Sequence, residues 1–139
     1  EMLTTEREDS ERGADMSLTQ TKGQLEAQIA TAITQFDREH LGRGPHGVRA
    51  WIIQDMILLR LQGVLTPAEE KLARDPEGHR LIKEVRKQLI EGSRDVLDEM
   101  IQGLTGVQVV SLHSDMSIKQ AERIIVFTLA EDLEAKVRR

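Results

Sequence analysis

Residues Gly42-Arg43-Gly44-Pro45-His46-Gly47 spell G-x-G-x-x-G, the lettering of a dinucleotide-binding loop. In such a loop the glycines follow a strand and open a helix, so that helix N-terminal amides meet a pyrophosphate. Here a helical apolar pattern precedes the glycines and a strand-like run, Val48-Arg49-Ala50-Trp51-Ile52-Ile53, follows them. A helix C-terminus presents carbonyls and the negative end of the dipole, which repels phosphate. The box therefore reads as a helix stop and strand entry: Gly42 and Gly44 end the helix and Pro45 bars its continuation. What remains of a ligand role falls to Arg43 and Arg49, cations that with nearby amides could hold an anion or a partner.

Other chemistry-bearing residues are scattered. His40, His46, His79 and His113 form no i, i+4 pair and no H-E-x-x-H, and the chain has no cysteine, so no metal site is expected. His113-Ser114-Asp115 reads as a strand-end loop. No serine sits in a G-x-S-x-G elbow, and Ser111 and Ser114 near His113 define no triad. Asp98 and Glu99 are adjacent on a helix and do not face each other. No catalytic set and no cofactor is expected. Arg86 is the most suggestive single charge: beside an apolar helix stripe, its stem can pack while its guanidinium pairs with Asp55, Glu69 or Glu84 as a clamp between elements or subunits. Thr66-Pro67-Ala68-Glu69 is a structural motif, a capping box with proline at the first helical position.

These residues are positioned by a simple order of elements. Residues 1–16 lack apolar periodicity, carry Glu1, Glu6, Glu8, Asp9, Glu11 and Asp15 against Arg7 and Arg12, and read as a disordered acidic tail. A single domain over 17–135 follows. Ser17 with Gln20, or Thr19, caps a first helix that runs to about Leu41 with Leu25, Ile29, Ala32, Ile33, Phe36 and His40 as its buried stripe. Val48–Ile53 and Met56–Leu61, joined at Gln54-Asp55, form an antiparallel hairpin. A short helix from Thr66 to about Arg74 precedes a long helix, opened by Asp75-Pro76-Glu77 and ending near Gln102. Its expected stripe is Ile82, Val85, Leu89, Val96, Met100 and Leu104, with Ser93 a gap. Gly103 and Gly106 stop it. Strands Val107–Leu112 and Ile124–Leu129 close the domain, with one helical turn expected within 113–123.

The order α-β-β-α-α-β-β predicts an α+β fold, a four-stranded, mainly antiparallel sheet with helices on one face. Helix–glycine–two strands occurs twice, with Asp55-Met56 and Asp115-Met116 in similar places, the pattern a duplication would leave. The other sheet face is open unless a second subunit covers it, which would place Trp51, Ile52-Ile53 or Ile57–Leu59 in a homodimer contact. The net charge is −5, and Trp51, Phe36 and Phe127 are the aromatics, which argues against a nucleic-acid partner. No apolar run approaches the roughly 20 residues of a membrane span, so the expected location is the cytosol, without membrane insertion.

Gly42-Arg43-Gly44-Pro45, Asp55 within a hairpin, Leu65-Thr66-Pro67-Ala68-Glu69, Val85-Arg86, Leu104-Thr105-Gly106 and Val126-Phe127-Thr128-Leu129 together resemble the MpsC-like family of small bacterial proteins. The similarity covers roughly Leu25 to Ala130. The family is associated with a proposed sodium-translocating, membrane-potential-generating system and brings no established catalytic residues. The resemblance implies a non-enzymatic accessory or assembly protein docking to a membrane-associated ion- or bicarbonate-handling complex, peripheral to the inner membrane face. An anion- or small-ligand-binding regulatory domain is the alternative, and a hydrolase is the remotest reading.

Overall fold

The structure, a computed structural model, describes residues 19–138. The acidic tail and the Ser17 cap lie outside the described residues. Helix α1 (Lys22–Leu41) begins two residues later than a Thr19 cap would place it, because Thr21 makes the box. Its Oγ1 accepts from Gln24 N at 3.1 Å while Gln24 Oε1 accepts from Thr21 N at 3.0 Å. Gly42 ends α1 in the left-handed region at φ 75°, a conformation that costs glycine nothing. Leu25, Ile29 and Ile33 are fully buried along α1, each contributing about 1.5–3 kcal/mol of hydrophobic stabilisation. His40 is exposed rather than part of the stripe and stacks on Phe36.

Strands β1 (Gly47–Ile53) and β2 (Met56–Gln62) form the expected hairpin around Gln54-Asp55. Gln54 takes positive φ in place of the usual glycine. Its amide donates to Glu134 Oε1 and its carbonyl accepts from Glu134 N, which pins the turn. Helix α2 (Pro67–Leu72) is followed by α3 (Pro76–Gly92) and α4 (Arg94–Thr105). The single long helix expected over this stretch is thus two, broken at Ser93, next to Gly92, where two weak helix formers meet. Gly78 is buried against α2: a Cβ there would lie 1.6 Å from the Leu72 carbonyl oxygen, so only glycine fits this helix crossing.

The face these helices bury also differs from the expected one. Ile82, Arg86 and Ile90 of α3 and Leu97, Ile101 and Thr105 of α4 point inward, whereas Val85, Leu89 and Val96 are exposed and Met100 and Leu104 only half-buried. Apolar residues occupy two neighbouring stripes, and the buried one carries an arginine at its centre.

Gly106, at φ 74°, ends α4. Strand β3 (Val109–Ser117) runs through His113-Ser114-Asp115, which is therefore strand and not loop, and a turn over 118–121 with no helical turn leads to β4 (Glu122–Leu129). A short α5 (Leu133–Lys136) closes the domain. The sheet order is β1-β2-β4-β3, antiparallel throughout. Each hairpin contributes its second strand to the centre. Asp55 lies in a turn and Asp115 inside a strand, so that proposed correspondence between halves fails, while the two glycine joints match.

Alternation along the strands assigns the faces. Ala50, Ile52, Ile57, Leu59, Leu61, Ile125, Phe127 and Leu129 are buried in one core with α1, α3 and α4. The alternate residues Trp51, Ile53, Met56, Leu58, Ile124 and Val126 occupy the other face and are exposed or half-buried. Ile52, Ile57 and Leu59 are therefore core residues and not available to a dimer contact.

Candidate functional site

Among the described residues the core contains two ion pairs. Arg86, in the middle of the buried stripe of α3, is 3 % exposed. Its Nε and Nη2 donate to Glu69 Oε2 and Oε1 at 2.8 and 2.6 Å, and Nη2 also donates to the Val64 carbonyl at 2.6 Å. Of the three acids the sequence offers Arg86, the structure selects Glu69. The same Glu69 Oε1 accepts from Thr66 N at 2.9 Å. The capping box therefore does two jobs: it starts α2 and holds a carboxylate in the fork geometry that a guanidinium matches.

Arg123, on the core face of β4, is likewise 3 % exposed and donates through Nη2 to Asp37 Oδ1 of α1 at 2.8 Å. Sequence reasoning missed both partners, although each carries a signal. Asp37 continues the Leu25, Ile29, Ile33 row at intervals of one turn, and Arg123 starts the inward alternation Ile125, Phe127, Leu129.

Burial raises the Asp37 carboxyl above its ordinary value despite Arg123 beside it. Burial likewise lowers Arg123, and neighbouring Arg86 adds to the effect while Asp37 opposes it. Burial pushes the Glu69 carboxyl up, but hydrogen bonds from Arg86 and Thr66 outweigh it and hold Glu69 below its ordinary value. One nitrogen of each arginine, Arg86 Nη1 and Arg123 Nε, is buried with no hydrogen-bond partner among the described residues.

Both arginines border a groove of about 520 Å³ between α3 and β3. Ile90, Leu112 and Met116 supply its apolar wall, and Arg80, Lys83, Glu84, Lys87, Glu91 and Asp115 its charged rim. Lys83 Nζ lies 3.4 Å from Asp115 Oδ1 across that rim. The Asp115 carboxyl is held below its ordinary value by the Met116 amide and by Lys83.

The other sequence-derived candidates go elsewhere. Arg43 does not project from the glycine box: Nη1 donates to the Leu65 carbonyl at 3.3 Å and Nη2 contacts His46 Nε2 at 2.7 Å. Arg43 and Arg86 thus grip successive carbonyls, Leu65 and Val64, and tie Gly42-Gly44-Pro45 to Thr66-Pro67. Arg49 is exposed on the open sheet face with its guanidinium 5.0 Å from the Trp51 ring centroid. Asp55 sits in the first hairpin turn, beside Glu131 and Asp132 in a smaller depression. Among the described residues no group of three or more His, Asp or Glu side chains is placed to hold a metal ion.

Gly42–Pro45, Thr66–Glu69 and Arg86, which hold this network, and Gly106, which ends α4, are among the motifs on which the family resemblance rests. A family model described as "Na+-translocating membrane potential-generating system (MpsC)" matches residues 21–131. The chain belongs to the MpsC family. It is 40 % identical over 119 residues to the uncharacterized protein YbcI of Bacillus subtilis (strain 168), covering 86 % of this chain and 96 % of that relative. It is 28 % identical over 104 residues to the uncharacterized protein YrhF of the same organism, covering 73 % of this chain and 84 % of YrhF. No solved structure matches. Membership connects the chain with a membrane-potential-related system, and among the described residues no helix is long and apolar enough to cross a membrane.

Proposed function

We propose that this MpsC-family chain is a non-enzymatic accessory component that works as a homodimer, held through the open face of its sheet, and docks to the membrane-associated complex of the family's system from the cytoplasmic side. The observation that carries the reading is the row Trp51, Leu58, Val126 and His113, which the strand register lines up across all four strands on the uncovered face. The neighbouring row is Arg49, Arg60, Ile124 and Asp115, with Arg60 paired to Glu122. A second copy laid face to face about an axis parallel to the strands would set Arg49 against Asp115 and Leu58 against Val126. The surface is thus self-complementary in charge and apolar at its centre, as an isologous interface requires.

Sedimentation or light scattering tests the dimer. Wild type should be dimeric and Leu58→Glu monomeric, while Arg49→Asp should weaken the dimer and Asp115→Arg restore it in the double variant. A monomeric wild type, or a dimer indifferent to Leu58→Glu, sinks this contact. Docking is tested by co-sedimentation with membranes from cells that have or lack the system's membrane subunit. Association that is absent, or equal in both, overturns it.

A further inference from the structure

The floor of the α3–β3 groove carries two cationic donors that nothing among the described residues satisfies. Arg86 Nη1 and Arg123 Nε are buried and lack hydrogen-bond partners among the described residues. A buried donor left unmade costs about 1–3 kcal/mol, and more when it is charged. Neither guanidinium can turn toward water without giving up what holds it. Arg86 is fastened by Glu69 and the Val64 carbonyl, and Arg123 by Asp37. The forks are fixed, and both border the same groove.

An acceptor reaching that floor must be small, and guanidinium N–H groups pair best with oxyanions. The volume, about 520 Å³, is in the range of small-molecule sites. Ile90, Leu112 and Met116 offer an apolar wall to the rest of such a molecule, and Arg80, Lys83 and Lys87 stand at the rim. We propose that the α3–β3 groove binds a small-molecule oxyanion, a carboxylate or phosphate whose oxygens accept from Arg86 Nη1 and Arg123 Nε while its body lies along Ile90, Leu112 and Met116. The groove shares His113 and Asp115 at its rim with the open sheet face, but Arg86, Arg123, Ile90, Leu112 and Met116 do not belong to the rows of that face, so the site stands whether or not that face makes a dimer.

The test uses calorimetric titration of the full chain with hexanoate and with inorganic phosphate, each against sodium chloride at matched ionic strength. Saturable one-to-one binding of hexanoate identifies a carboxylate with an apolar body, and of phosphate alone a phosphate site. Binding of neither overturns the proposal and leaves ordered water as what meets the two donors. In the same titration the Arg123 Nε–H resonance of ¹⁵N-labelled protein should shift, and binding that leaves it unmoved also overturns the proposal. Arg86→Lys keeps a cation beside Glu69 but loses Nη1, and should weaken binding about tenfold or more, equal to about 1.4 kcal/mol. Ser114→Trp, at an exposed lining position of β3, fills the groove while leaving Arg86, Glu69, Arg123 and Asp37 unsubstituted. It should abolish binding with an unchanged unfolding midpoint, and wild-type affinity in that variant places the ligand elsewhere.

Discussion

The two halves of the sheet are built alike and filled differently. Each half is a helix, a left-handed glycine and an antiparallel hairpin: α1, Gly42, β1 and β2 in the first, α4, Gly106, β3 and β4 in the second. Asp37 and Ile101 stand at the same distance before their glycine caps. Ile57 and Arg123 are each the second residue of an inner strand. One half-to-half contact is thus a buried ion pair, Asp37 with Arg123, while the equivalent positions, Ile101 and Ile57, are fully buried isoleucines. Helices α2 and α3, inserted between the halves, lie on the charged side and bring the second pair, Glu69 with Arg86. The difference teaches that polarity in this core is local, and that it gathers where the groove opens.

Breaking one member of the pair should have the largest effect. Asp37→Ala leaves Arg123 buried and uncompensated, and should cost about 3–5 kcal/mol in urea unfolding. Truncating the apolar equivalent, Ile101→Ala, should cost about 2–5 kcal/mol through lost burial and a cavity. The two halves become alike in the double variant Asp37→Ile/Arg123→Ile. Exchanging a buried ion pair for apolar residues is often neutral or stabilising, so this variant should recover most of the loss seen in Asp37→Ala. A double variant as unstable as the single one would show that the pair is required by its surroundings and not only by its own members. Thr66→Ala should cost about 1 kcal/mol as a cap. Because the Glu69 amide then loses the Thr66 Oγ1 acceptor while the Glu69 carboxylate keeps the backbone amide of residue 66, a cost well above that value would reveal coupling to Arg86.

The smallest expected effect is in pH dependence, and the sign separates the two pairs. Asp37 is raised on folding, so its contribution is fully present below its unfolded value and is lost as pH rises through the folded one. Glu69 is lowered, so its contribution is present above its unfolded value and lost as pH falls through the folded one. In wild type the two oppose each other across the acidic range. In the Asp37→Ile/Arg123→Ile variant the opposing Asp37 contribution is gone while those of Glu69 and the exposed Asp115 remain, and the urea midpoint should rise more steeply with pH from the acid side. An unchanged slope would refute the opposition.

Much of the architecture was legible in residue order. Gly42, Thr66-Pro67-Ala68-Glu69 and Gly106 act through their own backbone neighbours, so spacing alone reveals them. The hairpin at Gln54-Asp55 was legible from its flanking apolar runs although its turn lacks glycine. The stripe of α3 was not. From Ile82 a periodicity argument continues through Val85 and Leu89, the row without a charge, whereas the buried row continues through Arg86 and Ile90. Arg86 reverses that choice because a carboxylate from another helix meets it, and no local pattern records such a partner. Arg43 misleads in the opposite direction: in a glycine-rich joint it looks free to meet a ligand, yet it is spent on the Leu65 carbonyl.

By itself the sequence determined the order of the elements and the joints at Gly42, Thr66-Pro67 and Gly106, because caps and glycine stops are settled within a few residues, whereas the break at Ser93 and the reach of β3 to Ser117 were not written in it. Only the tertiary structure decided which charges enter the core and which groove they border. The stability of a buried arginine depends on acceptors brought to it from Glu69, Val64 and Asp37, residues distant along the chain that meet only when the sheet and helices close.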